Sequence, residues 1–349
     1  MHNDIIKLLP KIYFPNVIFY GDKSFFFYKD VFLNRKIFIV ISGGFKEINK
    51  KFCEELFGGQ AFYFVQDSEP SKEDFEKIQR AFRDNPFDLI VALGGGSVID
   101  LAKLLKKDKK LEMVAIPTTI GAGAEVSQHC ILMENGTKKA HSDHNFLPET
   151  VILNPVFLLS LSGEQIASQA IDALAHALEG LVSRLSSPLS DAFCLYAIDN
   201  LYGGLIDFLE KGARADILAR LQIASVLSGL AQSNVGTGLI HSFAHCLGAR
   251  NKISHALAVC APFLEVIKFN ASHTDKYQKL SQLKHLSPND FIGKIQDLLN
   301  NLGLNGKVIL ECNLEEAAEE IKKDICTTTN PSQPSIEDIV SILKKVIND

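Results

Sequence analysis

The stretch Asp88-Leu-Ile-Val-Ala-Leu-Gly-Gly-Gly-Ser-Val-Ile-Asp-Leu-Ala-Lys103 decides the reading of the fold. The apolar run Leu89 to Leu93 has the length and continuity of a strand buried on both faces. Gly94, Gly95 and Gly96 then turn the chain where a strand should hand over to a helix. Glycines at such a corner let the backbone come close to a diphosphate, and the first N–H groups and dipole of the new helix hold negative charge. Ser97 is placed to cap that helix and to offer a hydroxyl. The spacing is not G-x-G-x-x-G, so the turn taken alone fits a ligand-free corner as well as a phosphate site.

Working outward, Lys36 to Ile41 and Ala61 to Val65 read as further strands, and Met113 to Ile116 as a fourth that ends at Pro117-Thr118-Thr119. Between the second and third, Ser71 to Asp84 shows Phe75, Ile78 and Phe82 at helical spacing, with Ser71 and Asp74 able to cap its start. Strands alternating with helices through short loops predict a parallel sheet covered on both faces, of the Rossmann or dehydroquinate-synthase kind. Thr118, Thr119, Gly121 and Gly123 form a second glycine- and hydroxyl-rich loop on the same carboxyl edge, where open α/β sheets bind ligands. Two such loops together favour a nucleotide site. After Pro155 strand-like runs nearly vanish and helical patterns continue to Lys345. The expected division is a dinucleotide-binding α/β domain over 1–155 and an all-α domain over 156–349 that supplies metal and substrate contacts.

At 349 residues the chain exceeds one ordinary core, and 46% apolar with 22% charged residues fits a globular protein. A net charge of −5 with no run of Lys and Arg argues against a nucleic-acid partner. The N-terminal residues, with Asp4 and Pro10, do not read as a signal peptide. Leu221 to Ala249 lacks any Asp, Glu, Lys or Arg, but Gln222, Gln232, Ser233, Asn234, Gly236 and Gly238 interrupt it. Two buried helices joined by Asn-Val-Gly-Thr-Gly are expected there, not a membrane span. Seven scattered cysteines without a C-x-x-C pair suggest reduced, packed thiols and a cytoplasmic protein.

Polar residues stand out in the apolar second half. Asp172 and His176 are spaced i, i+4, which on a helix puts both on one face. His241 and His245 repeat that spacing, and His255 follows. An unpaired carboxylate or imidazole among apolar residues is costly, and a divalent cation would compensate all five. Such oxygen and nitrogen donors suit Fe²⁺, Zn²⁺, Mn²⁺ or Co²⁺ without choosing among them. A zinc-protease helix is excluded because Ser242 stands where the glutamate after the first histidine would be.

These motifs resemble the iron-containing (group III) alcohol dehydrogenases, a family related to glycerol dehydrogenase and dehydroquinate synthase. The resemblance runs from about Asn16 to Leu264. It is carried by Gly-Gly-Gly-Ser-Val-Ile-Asp-Leu-Ala-Lys, Ile-Pro-Thr-Thr-Ile-Gly-Ala-Gly-Ala-Glu-Val-Ser, Asp-Ala-Leu-Ala-His-Ala-Leu-Glu and Gly-Leu-Ile-His-Ser-Phe-Ala-His-Cys-Leu-Gly-Ala. It implies Asp172, His176, His241 and His255 as ligands of Fe²⁺ or Zn²⁺, with His245 beside the metal as the proton-handling catalytic residue. It implies Gly95, Gly96, Ser97 and Asp100 at the cofactor diphosphate, Thr118 and Thr119 near the nicotinamide, and Lys138 as a cofactor contact.

The chain departs from the family pattern in places. Ala256 follows His255 where glycine is usual, and Ser68-Glu69-Pro70-Ser71 replaces a Pro-Asn-Pro-Thr stretch. Ser42-Gly43-Gly44 stands where an acidic residue often disfavours the 2′-phosphate, as in members that accept NADP(H). Ser42 is therefore the expected discriminating position, and of NAD(P)(H) the phosphorylated form is expected. Gln128 and His129 hint at a polar or anionic substrate.

The implied activity is metal-dependent hydride transfer between nicotinamide and a small alcohol or aldehyde. The expected partners are that substrate and a second copy in a homodimer, with no nucleic acid and no membrane. Two rivals remain. A dehydroquinate-synthase-like cyclase would need a strongly basic pocket, and a catalytically silent nucleotide- or metal-binding relative would not need all four ligand positions filled.

Overall fold

A computed structural model describes residues 12–24, 30–57, 61–83, 86–121, 123–134, 137–251, 253–309 and 313–348. Among these, the first part of the chain forms a six-stranded sheet from β1 (Val17–Tyr20), β2 (Ile37–Ile41), β3 (Ala61–Val65), β4 (Leu89–Gly94), β5 (Glu112–Pro117) and a later strand, Thr150–Leu153. All neighbouring strands run parallel. The helices beside it are α1 (Gly43–Ile48), α2 (Lys50–Phe57), α3 (Lys72–Arg83) and α4 (Gly96–Lys109). Between β5 and the last sheet strand an antiparallel hairpin, β6 (His129–Glu134) and β7 (Thr137–Ser142), is inserted, so that last strand is β8. The order across the sheet is β1-β8-β5-β4-β2-β3.

The side-chain period of two explains why both faces are covered. Ile37, Ile39, Ile41, Val91, Leu93 and Val114 bury one face against α1 and α2 residues such as Phe45 and Phe57. Phe38, Val40, Ile90, Ala92, Met113 and Ala115 bury the other against α3 and α4. All four strands read from the sequence are present. The helix after β3 starts as expected: Asp74 N–H donates to Ser71 Oγ, and Ser71 N–H and Oγ both donate back to Asp74 Oδ2. Ser97 does not cap α4. The N-cap is Gly95, and no side chain accepts from the first turn.

Strand gives way to helix between Leu153 and Gly163. The long helices are α5 (Gly163–Val182), α6 (Pro188–Lys211), α7 (Ala215–Val235), α8 (Leu239–Asn251) and α9 (His255–Ala271). They are followed by α10 (Phe291–Leu302), α11 (Leu314–Lys323) and α12 (Ile336–Val346). The uncharged stretch from Leu221 is indeed two helices, α7 and α8, separated by a turn with Gly236 at φ +75°. The centre of the bundle is α5, whose residues from Ile166 onward are nearly all buried. Ser162 and Gln165 cap it reciprocally.

Several contacts set the sheet and the bundle together, two of them by close packing. Val151 and Leu153 of β8 pack against Val226 and Leu230 of α7. Near the carboxyl edge, the backbones of Gly123 and Gly229 meet: a Cβ on Gly123 would lie 2.5 Å from the Gly229 Cα. Only glycine permits that approach, and Gly123 also holds φ at +63°.

Candidate active site

The order of the strands creates a crevice. From β2 the chain moves outward to β3, then crosses back to β4 and proceeds the other way, so the winding reverses between β2 and β4. Ligands of open α/β sheets bind outside the strand ends at such a reversal. The strand ends there are Ser42, whose N–H donates to Leu93 O, and the glycine turn after β4. Gly94 is obligatory, because a Cβ would fall 2.6 Å from Val98 Cγ2. A Cβ on Gly95 would lie 3.1 Å from Thr119 Cγ2, so the two glycine loops touch. The uncapped start of α4 therefore opens beside Thr118 and Thr119, and Thr118 N–H is held by Gly94 O.

The second loop leads directly to the bundle. Ile120 N–H donates to Gln169 Oε1, and Gly121 N–H donates to Ser225 Oγ, whose hydroxyl returns a bond to Gly121 O. A Cβ on Gly121 would lie 3.6 Å from Asp172 Oδ2. The carboxylate of α5 thus lies against the loop that follows β5.

Around Asp172 Oδ1 the expected ligands gather. His241 Nε2 is 3.4 Å away, His255 Nε2 3.9 Å and His176 Nδ1 4.0 Å. Asp172, His176 and His241 offer donor atoms within 4.8 Å of one another, against roughly 3.4 Å for ligands at about 2.1 Å from a tetrahedral ion. His255 lies outside that group of three and reaches it only by a larger movement of its ring. Asp172 Oδ1, His176 Nδ1 and His241 Nε2 are buried and make no hydrogen bond. Such atoms are costly unless something binds them. The His176 and His241 rings stack at 4.2 Å, and Ser254 caps α9 so that His255 opens its first turn toward the same point.

The electrostatics favour positive charge at that point. Burial opposes ionisation of Asp172, but the imidazoles, His176 foremost, outweigh it and hold the carboxyl well below its ordinary value. Burial, reinforced by His241, lowers His176 to about 3, which leaves it a neutral donor. Burial also works against a charge on His241, yet Glu179 and then Asp172 raise it to about 10.

Glu179 was not singled out from the sequence. It is buried on α5, seven residues after Asp172, and accepts from His241 Nδ1 at 2.6 Å. Its oxygens also accept from Gly238 N–H and Ile240 N–H at the start of α8. The available signal was a carboxylate two helical turns from Asp172 on an otherwise uncharged helix face. Asp324 was also missed. It follows α11, and its Oδ2 accepts from His245 Nδ1 at 2.9 Å. His245 itself is half-exposed and stacks on His255 with ring centroids 5.9 Å apart. Asp324, Cys326 and His245 form a second group of potential donor atoms within 4.8 Å of one another. There Asp324 Oδ1 is already engaged by Cys326 N–H and Ser242 Oγ.

Other expected residues fall differently. Asp100 is turned into the protein, where Oδ2 accepts from Ile131 N–H and Oδ1 lies 3.4 Å from Lys103 Nζ. It anchors β6 to α4 instead of facing a diphosphate. Gln128 and His129 are likewise committed, to Ser233 and Ser142, so they tie the hairpin to α7 and give no hint of a polar substrate. Lys138 lies on β7, and its side chain falls outside the described residues. Ser42 ends β2 and caps α1 without a side-chain hydrogen bond.

Comparison with known proteins agrees with this arrangement. Residues 15–155 match the family described as iron-containing alcohol dehydrogenase, and 166–347 match the C-terminal part of the Fe-containing alcohol dehydrogenase family. An alcohol dehydrogenase of Thermococcus barophilus is 30% identical over 319 residues, 81% of this chain and 83% of that protein. A 4-hydroxybutyrate dehydrogenase of Clostridium kluyveri is 28% identical, over 85% of this chain and 90% of that one. The structure of an iron-containing alcohol dehydrogenase from Thermococcus thioreducens superposes with a TM-score of 0.87 at 26% identity, covering 96% and 99% of the two chains. The family uses NAD(P) with iron or another divalent metal, and the cyclase alternative is not favoured. The chain belongs to the iron-containing alcohol dehydrogenase family and is an oxidoreductase acting on CH–OH groups.

Proposed function

We propose that this enzyme interconverts small alcohols and aldehydes with Asp172, His176, His241 and His255 holding one divalent metal, Fe²⁺ or Zn²⁺. The observation that carries the reading is the convergence of three imidazole nitrogens within 4.0 Å of the buried Asp172 Oδ1, against the loop that adjoins the glycine turn. When bound, the metal supplies Lewis-acid polarisation of the substrate oxygen and the nicotinamide supplies or accepts the hydride.

The protein's own groups do the rest. The uncapped amides of Gly96 and Ser97 receive the diphosphate, and Thr118 and Thr119 border the nicotinamide end. Gly121 lets the loop lie against Asp172, which brings cofactor and metal sides within reach of one substrate. Asp324 fixes His245 through Nδ1, so its Nε2 is left to give or take the proton of the substrate oxygen and pass it to solvent. A homodimer is part of this reading, and sedimentation of the purified protein checks it.

The test is a panel of small alcohols and aldehydes assayed with both nicotinamide dinucleotides after loading with Fe²⁺ or Zn²⁺, alongside metal analysis. His241→Ala and His255→Ala should each lose most metal and most turnover. His245→Ala and Asp324→Asn should keep the metal and lose rate, about 10²-fold or more for the first. Full metal occupancy in both ligand variants, or equal metal loss in His245→Ala, would overturn the ligand assignment.

A further inference from the structure

Resting on the dehydrogenase reading, we infer that Asp67 excludes a 2′-phosphate from the adenosine side of the crevice and makes NAD(H) the preferred cofactor. With the diphosphate at the turn after β4, the ribose of a dinucleotide reaches the end of the neighbouring strand, where α/β folds read its 2′-position. That neighbour is β2, and it ends in Ser42-Gly43-Gly44, which carries no charge of its own.

The charge arrives from the next strand. Asp67 lies two residues beyond β3, and its Oδ1 accepts from Gly43 N–H at 2.6 Å. A Cβ on Gly43 would fall 2.5 Å from Asp67 Oδ2, so the carboxylate lies directly over the glycine. It fills the space that a side chain at position 43 would take.

The surroundings do not cancel it. A cavity of about 640 Å³ opens beside the loop, and its charged lining is Lys46 and Lys50 against Glu47, Glu54 and Asp67. Lys46 Nζ sits 4.5 Å over the Tyr63 ring, and Lys50 Nζ is 4.0 Å from Glu54. A ribose 2′-hydroxyl can donate to the remaining lone pairs of Asp67, whereas a dianionic phosphate meets that carboxylate in a wall whose other charges, two lysines and two glutamates, balance. The expectation of NADP(H) considered only the side chains at 42–44. The decisive group reaches that place from 24 residues further along the chain.

The test is fluorescence titration of the full-length, metal-loaded protein with NADH and with NADPH. The unaltered protein should bind NADH at least about tenfold more tightly. Asp67→Asn keeps an acceptor for Gly43 N–H and removes the charge, so it should narrow that ratio chiefly by tightening NADPH. Asp67→Lys should reverse it. Equal binding of the two cofactors by the unaltered protein, or a ratio unmoved in both variants, overturns this inference and leaves the dehydrogenase reading standing. Failure to bind either cofactor overturns the dehydrogenase reading and this inference with it.

Discussion

Glu179 is placed to govern the proposed metal site without touching the ion. By accepting from His241 Nδ1 it fixes the ring and its tautomer, so Nε2 is the atom presented to Asp172 and His176. Glu179→Gln should weaken metal binding by about 10–100-fold. It should also change the absorption spectrum of the Co²⁺-substituted protein, a signature that simple loosening of α8 would not give. An unchanged metal affinity would remove Glu179 from the site.

Glu125 makes a different prediction. It is buried in the loop after β5, and burial raises it to about 7 despite its own backbone hydrogen bond and Lys103. A carboxyl raised on folding holds its proton more tightly in the folded chain. Its contribution is therefore fully present below the ordinary value of 4.5 and is lost as the pH climbs to about 7. The loss approaches roughly 3 kcal/mol. Urea unfolding at pH 5 and pH 8 should show Glu125→Gln losing less stability over that interval than the unaltered chain. Equal losses would mean that Glu125 ionises freely.

The polar cluster of the bundle was legible as candidate ligands because Asp172, His176, His241, His245 and His255 interrupt apolar runs, the first four as two pairs at helical spacing. Their supports were not, since Glu179 and Asp324 meet their histidines across 62 and 79 residues of chain.

At the level of elements, the junction between the loop after β5 and α7 depends on two glycines pressed together. Gly123→Ala adds a methyl into the Gly229 backbone at a position with φ +63°, where both the contact and the torsion oppose it. The loop must then retreat from α7 and carry Gly121 away from Asp172. Stability should fall by about 1–3 kcal/mol, and the affinity for both cofactor and metal should fall together. Calorimetry with metal and NADH titrations checks this, and a loss confined to stability would break the proposed link. Strands β2, β4 and β5 were readable because buried parallel strands are continuous apolar runs, and the edge strand β3 because its aromatic and β-branched residues fit a strand although none of them is fully buried. Strands β1 and β8 are only four residues each, and the β6–β7 hairpin carries Lys138, Lys139 and His141, so none showed the same pattern. The N-cap of α4 is Gly95, whose extended backbone already offers its carbonyl to Val98 and Ile99 N–H, so Ser97 falls inside the first turn and not at the cap.

Across the whole molecule, the proposed metal site draws on α5, α8 and α9, which span residues 163 to 271. A ligand at 100 times its dissociation constant stabilises the folded state by about 2.7 kcal/mol. Chelation should therefore lower Tm by roughly 3–4 °C and abolish turnover, and restoring Fe²⁺ or Zn²⁺ should recover both. A Tm indifferent to chelation would show that the bundle does not hold the ion. The division into a sheet and a bundle was legible from the change of pattern near Pro155. The crevice was legible only as a loop composition, because the reversal between β2 and β4 is a property of strand order.

That strand order also sets a timetable for synthesis. Val17 of β1 pairs with Thr150 of β8, 133 positions later. At about 5–20 residues per second, the first of the described strands waits roughly 7–27 s for β8, its neighbour among the described residues, while β2 to β5 can already join one another. The first described strand is among the last of the sheet to be seated. Until then its apolar residues are candidates for chaperone capture, and the proposed metal ligands, which begin at Asp172, have yet to be translated.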